Sequence, residues 1–512
     1  MSVLFTLIGV VTARIIKRIA PNANLFILSL LPIVLLLYIH FDVNYFYQGT
    51  MAYFLMLLVL YGYFSISRET VRLMYATAFG VILFWCAGAV AFLFVICVFL
   101  WELLNRFSKA YRFILPVLFV TGLAFVTIYT ALVGSYRFLF LPNGYYAYRL
   151  HPSKAIYFAW IFLPVLLIFC RFLRNRQYFK GVRKYIEAFL QLLLVVIAFH
   201  FGMDKFANRN NDFYEELDYY MRTEQWDKII ERCRGELKNY LYKRCLNVAL
   251  AEKGELAERM FAFDQQGVQS IFTTWNREPH IAVLMSDIYF SMGQIALSQQ
   301  MAFEANESVS VTGSPRMLKR LVQTNLIYGA FPIAEKYIDI LEQTYFYREW
   351  AHKHRRFLWN NEAIENDSLL GIKRKCIPKT DMLSEMQGLN VDLEIIAKQN
   401  PAHQASVQYS GAIYLLTKEL YYLKYLIDEF YKTDVLPHLP KAFQEAVVIL
   451  SEQDPSLLEI YDISDVYIKR YHEYKRIVLA NRNNTAALPG LLKRSFGDTY
   501  WFYYMFINIK TE

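Results

Sequence analysis

Six apolar runs, at 24–41, 51–67, 75–101, 110–133, 155–171 and 185–203, crowd into the first 203 residues of this 512-residue chain. No other feature limits the fold as strongly, because a backbone in hydrocarbon must satisfy its amides within a helix or a closed barrel. The runs predict a polytopic helical membrane region over 1–203, with about six spans. Charge follows the same division. Residues 1–203 hold 17 Lys/Arg against four acids (Asp42, Glu69, Glu102, Glu187), a net of +13. Residues 204–512 hold 37 Lys/Arg against 41 acids, a net of −4. The excess positive charge sits wholly in the apolar half, so it reads as loops flanking spans. No nucleic-acid partner is expected, since that would need a basic face on the polar half.

Tyr and Phe gather at the ends of the runs, as in "DVNYFYQG" (42–49) and "YRFLFLPNGYYAYRL" (136–150), where amphipathic rings favour the headgroup layer. Ala76, Gly80 and Gly88 form a small-residue face on 75–101 that reads as a packing seam. The densest basic loop is 171–184, "RFLRNRQYFKGVRK", with Arg171, Arg174, Arg176, Lys180, Arg183 and Lys184 as topology determinants. Basic loops stay in the cytoplasm, so the last span carries the polar half to the other side. Counting back with single crossings puts Arg14, Lys17 and Arg18 outside. A hairpin broken near Gly88 instead puts 14–22, 67–74, 101–112 and 171–184 all inside. Both counts remain open at this point. The N-terminus carries its charges after its apolar run and makes a poor signal peptide.

From about 204 the pattern becomes helical and paired. Four hairpins read at 213–233, 245–263, 280–306 and 317–343, the last three turning at Gly254, Gly293 and Gly329. Tyr289, Gly293 and Ala305, with Gly329 and Ala334, resemble the register of the tetratricopeptide repeat. The expected fold is therefore all-α: a transmembrane helical region over 1–203, then a TPR-like helical-hairpin solenoid over 204–512. Stacked hairpins leave a groove for a peptide or helix, and Tyr289, Tyr328 and Tyr337 are its candidate contacts. The stretch 360–400 reads as a long connection, and "FGDTYWFYYMFINI" (496–509) as a capping helix or a membrane-surface anchor.

No P-loop, GxSxG elbow, GxGxxG or EF-hand loop appears, and no cofactor or metal site is expected. His352 and His354 stand two apart and face different sides of a helix, a poor chelate. Six cysteines include no CxxC; Cys233 and Cys245 could meet across a hairpin, but unpaired thiols are the expected state.

The stretches "NVALAEKGELAERMF" (247–261), "QTNLIYGAFPIAEKYIDILEQTYFYREWA" (323–351), "YLLTKEL" (414–420) and "FGDTYWFYY" (496–504) resemble a domain-of-unknown-function family of Bacteroidota-type polytopic membrane proteins. The resemblance implies a multi-pass protein of a bacterial inner membrane and implies no activity. The leading expectation is a non-enzymatic scaffold: lipid bilayer around the base, and a periplasmic repeat domain holding a protein partner in the cell envelope. The alternative is a polyprenyl-phosphate-sugar glycosyltransferase, which such a plan resembles, with Asp42 as general base and Arg137, Arg149 or Lys154 holding the lipid phosphate. A transporter or transporter accessory subunit is the third reading. It would need a polar path through nearly uncharged spans.

Overall fold

The computed structural model describes residues 1–41, 47–130, 140, 154–174, 182–207, 209–309, 313–379, 388–484 and 486–507. Among them the regular structure is helical, apart from isolated bridges pairing Tyr431 and Thr433 with Leu436. The chain divides into two compact units, Met1–Asp212 and Phe213–Glu512.

In the first unit four helices among the described residues are long and apolar enough to cross a membrane: Glu69–Ala87, Phe107–Tyr129, Ala155–Leu173 and Lys184–Phe206. The run 75–101 is two helices, Glu69–Ala87 and the shorter Val90–Asn105, because Gly88 takes φ +62° and turns the chain back. A residue with a β-carbon would be strained in that conformation. Gly88 is thus a turn rather than part of the packing seam. Gly80 does lie in a close contact, where an added β-carbon would come 3.1 Å from Val120 and 3.2 Å from Val95. The run 24–41 is the short apolar helix Phe26–Phe41. The run 51–67 falls in Tyr47–Ser65, whose tyrosines and Gln48 dilute its hydropathy.

Cross-helix contacts bring the basic segments to one end of this unit. Arg18 donates to the carbonyls of Phe64 and Ser65, both at 3.5 Å. Glu69 pairs with Arg112 at 3.1 Å, Arg106 at 3.2 Å and Lys109 at 3.6 Å. Arg174 donates to Asn105 at 3.3 Å. Beneath them a buried ion pair, Arg72 to Glu102 at 2.8 Å, takes a further hydrogen bond from Tyr63 at 2.7 Å. The last long helix starts at this end, where Gln191 donates to the Asn24 carbonyl. It finishes at the opposite end, where Tyr38 donates to the Ala198 carbonyl at 2.6 Å and Asn211 to that of Phe41 at 2.8 Å.

The second unit is built of helix pairs. Pro279–Met292 is followed by Ile295–Val309, and Pro315–Tyr328 by Phe331–Glu342. Gly293 (φ +86°) and Gly329 (φ +73°) cap the first helix of each pair in the left-handed region, the usual glycine stop. Reciprocal bonds, Ser286 hydroxyl to Ser298 carbonyl at 2.9 Å and Ser298 hydroxyl to Ser286 carbonyl at 2.8 Å, hold the first of these pairs together. The stretch 360–400, expected as a connection, contains the helices Asn361–Glu365, Leu370–Arg374 and Leu389–Gln399. They form because Ile364, Leu370 and Leu389 bury themselves in the core, while 380–387 lie outside the described residues. All six cysteines are free thiols.

The chain's aromatic end is core. Thr499 caps the helix Tyr500–Phe506 by accepting from the Phe502 amide, and Tyr500, Trp501 and Tyr503 are all buried. Trp501 donates its indole N–H to the Glu445 carbonyl at 2.8 Å, and Tyr503 its hydroxyl to the Leu416 carbonyl at 2.8 Å. Burying one such indole contributes about 5 kcal/mol of hydrophobic stabilisation. This segment is a docked lid of the second unit, as the capping reading expected.

Candidate functional site

A cavity of about 310 Å³ opens in the second unit. The first helix of each of four successive pairs contributes to its wall: Met221 and Arg222, then Val248 and Glu252, then Asp287 and Phe290, then Arg316, Lys319, Arg320 and Gln323. Glu224, Trp226, Met317, Tyr347, Leu369 and Lys373 complete it. Arg316, Lys319 and Arg320 stand at helical spacing on Pro315–Tyr328, so they share one face while Leu318, Leu321 and Val322 bury the other. A larger cavity, about 590 Å³, lies in the first unit between the helix Ser2–Ile19 and residues 21–33. Its lining is mainly apolar, as suits a membrane region.

Charge in the smaller cavity is organised in two tiers. Arg316 reaches both oxygens of Asp218, at 2.6 and 2.8 Å, and Asp287 at 2.8 Å. Arg320 donates to Asp287 at 2.9 Å and to Gln323 at 3.0 Å, with its guanidinium 3.7 Å above the Phe290 ring. Burial alone would raise the Asp287 pKa, but Arg316 and Arg320 outweigh it and hold the carboxyl below its ordinary range. These groups neutralise one another and fix the wall.

Two lysines do not share in that pairing. Lys373 is only 6% exposed, and no carboxylate of the described residues lies within ion-pair distance. Its ammonium donates to the Ser291 carbonyl at 3.1 Å, meets His403 Nε2 at 2.8 Å, and lies 5.2 Å from the Phe290 ring. Burial lowers the Lys373 pKa and outweighs Glu252 and Cys376, which pull it up, while Arg320 adds a smaller push downward. His403 is held neutral, its pKa pushed well down by burial and then by Lys373. A neutral imidazole accepts from Lys373 at Nε2 when its Nδ1–H faces Ser406 Oγ, 3.3 Å away. Lys319 is likewise lowered by burial, then by Arg320, and stands 5.5 Å over the Trp350 ring. Glu224 and Glu252 face the cavity from exposed positions, where water screens them.

Of the residues singled out from sequence, Tyr289 is buried, Tyr328 is 38% exposed and Tyr337 is half-buried; none of the three lines this cavity. Asp42, Arg137, Arg149, Arg176 and Lys180 lie outside the described residues. Lys154 is exposed at the N-cap of Ala155–Leu173. Arg171 and Arg174 end that helix, while Arg183 and an exposed Lys184 begin the next. His352 and His354 do part: His352 pairs with Glu342 at 3.1 Å, and His354 stacks on Trp350. The basic triplet at 316, 319 and 320 was missed in the sequence, although its helical spacing is the signal that could have found it. Lys373 and His403 carried no such signal, being 30 residues apart.

The helices and this cavity define an all-α, multi-pass membrane protein with a basic pocket in its second unit. The chain belongs to the family of unknown function DUF6057, whose match extends over residues 1–507. No curated protein and no solved structure matches it.

Proposed function

We propose that this protein is a membrane-embedded base that presents a TPR-like domain outside the cytoplasm, in the envelope of a bacterium, as a scaffold for a protein partner. The observation that carries the reading is the shared wall of the basic cavity, to which the first helices of four consecutive pairs all contribute. Stacked hairpins create a recognition groove by that means. Sidedness draws support from the first unit. Its basic segments meet at one end, which the positive-inside tendency assigns to the cytoplasm, and its last long helix finishes at the other.

Photo-crosslinking groups at Trp226 and Leu369, in the cavity, test the reading in intact cells. Both should yield one discrete protein adduct that Arg320→Glu abolishes, and groups at the exposed Tyr345 and Tyr421 should yield none. Adducts that are absent from the cavity positions, or identical at all four, contradict it.

A further inference from the structure

We infer that the cavity recognises acidic peptide, with Lys373 and Lys319 as the cations that a partner's carboxylates neutralise. The inference rests on the scaffold reading and deepens it. A charge removed from water requires a partner, and a buried ammonium without one destabilises the fold that holds it. Lys373 is such a group: the protein offers it a carbonyl and a neutral imidazole, which orient it without cancelling its charge. Two of its three donors are thereby used. Asp287 is already shared between Arg316 and Arg320, and Glu252, the carboxylate that acts on Lys373 from a distance, stands exposed to water. What would complete the site electrostatically is an anion entering from the cavity.

Several features favour peptide over a free inorganic anion. The cavity lining mixes five cationic side chains (Arg222, Arg316, Lys319, Arg320, Lys373) with Trp226, Phe290, Leu369 and Met317, apolar surface that an inorganic ion would leave unused. Lys319 and Lys373 come from separate helices, Pro315–Tyr328 and Leu370–Arg374, so one extended segment could meet both. Helix Leu370–Arg374 belongs to the stretch between repeats and not to a hairpin. Its position is fixed where His403 and Cys376 lie 3.1 and 3.2 Å from where a β-carbon on Gly293 would stand. The site is thus assembled by an insertion on the hairpins rather than by a hairpin face alone.

The test uses the full chain in detergent and follows fluorescence anisotropy of fluorescein-labelled tetraglutamate, with tetraglutamine and sodium phosphate as the other probes. Tetraglutamate should bind, tetraglutamine should not, and raising salt from 50 to 300 mM should weaken binding severalfold. Lys373→Met and Lys319→Ala should each weaken it at least tenfold. Lys373→Met should also raise the thermal midpoint, because it removes a buried charge that lacks a counterion; a lysine that merely braced the fold would lower it. Equal binding of both peptides, or lysine variants that bind as the parent does, overturns the inference. Lysine-dependent binding of phosphate without tetraglutamate also overturns it, and with it the use of this cavity for a protein partner. No binding of any probe overturns the anion inference alone, since the crosslinking experiment judges the scaffold separately.

Discussion

Replacing Glu445 with Gln should remove a pH dependence that the fold builds into its C-terminal lid. Glu445, on the helix Lys441–Leu450, is fully buried. One carboxyl oxygen accepts from the Tyr500 amide at 2.7 Å, and the other has Lys441 at 3.9 Å and no hydrogen bond. Burial is the largest influence and pushes its pKa from 4.5 up to about 8, against the pull of Lys441 and the Tyr500 amide. A carboxyl raised in the folded state favours folding when protonated. Its contribution is complete below about pH 4.5 and is lost as pH rises through 8. At 1.36 kcal/mol per pKa unit the full loss approaches about 5 kcal/mol. Gln keeps an oxygen for the Tyr500 amide and cannot ionise, at a cost of about 1–2 kcal/mol for its unpaired amide donors. The variant should therefore be the more stable at pH 9 by roughly 3 kcal/mol. Amide hydrogen exchange reads this locally, which suits a chain of two units that need not unfold together. Protection of 441–450 and 500–506, corrected for intrinsic exchange, should fall from pH 5 to pH 9 in the parent and stay flat in Glu445→Gln. Equal slopes would refute the reasoning.

Gly411→Ala should destabilise the second unit by about 2–3 kcal/mol, because the new methyl group would overlap the Phe443 ring; adding Phe443→Leu should recover part of the loss in thermal unfolding. Arg72→Met strands a buried Glu102 and should cost about 3–5 kcal/mol in detergent, whereas Arg72→Met with Glu102→Leu should cost less than the single change. Asp42→Asn should leave expression, folding and cellular phenotype intact if the protein is a scaffold; loss of phenotype with normal folding would favour the glycosyltransferase reading.

What could be read from sequence was what local pattern encodes. Gly254, Gly293 and Gly329 follow apolar helical runs, and all three adopt positive φ, so the turns fell where the pattern put them. Gly88 was legible only as one of two alternatives, because hydropathy is blind to direction: a continuous span and a hairpin have the same composition there, and the positive φ of Gly88 decides for the break. Glu445 looked like one more solvated charge on a repeat helix. The docking of Tyr500 and Trp501, over 50 residues downstream, is what encloses it. Lys373 and His403 likewise meet only through packing of the inserted helices. The sites that escaped are long-range pairings of ionisable groups, and the features that were legible depend on neighbours three or four residues away.

The most direct test of the account is the side of the membrane on which each end of the first unit lies. Fusions at Lys109, within the basic end, and at Asn208, after the last long helix, would carry one reporter active only inside the cytoplasm and one active only outside. The account expects Lys109 to report inside and Asn208 outside. Both sites reporting on the same side, or Asn208 reporting inside, would contradict it and make the second unit a cytoplasmic adaptor.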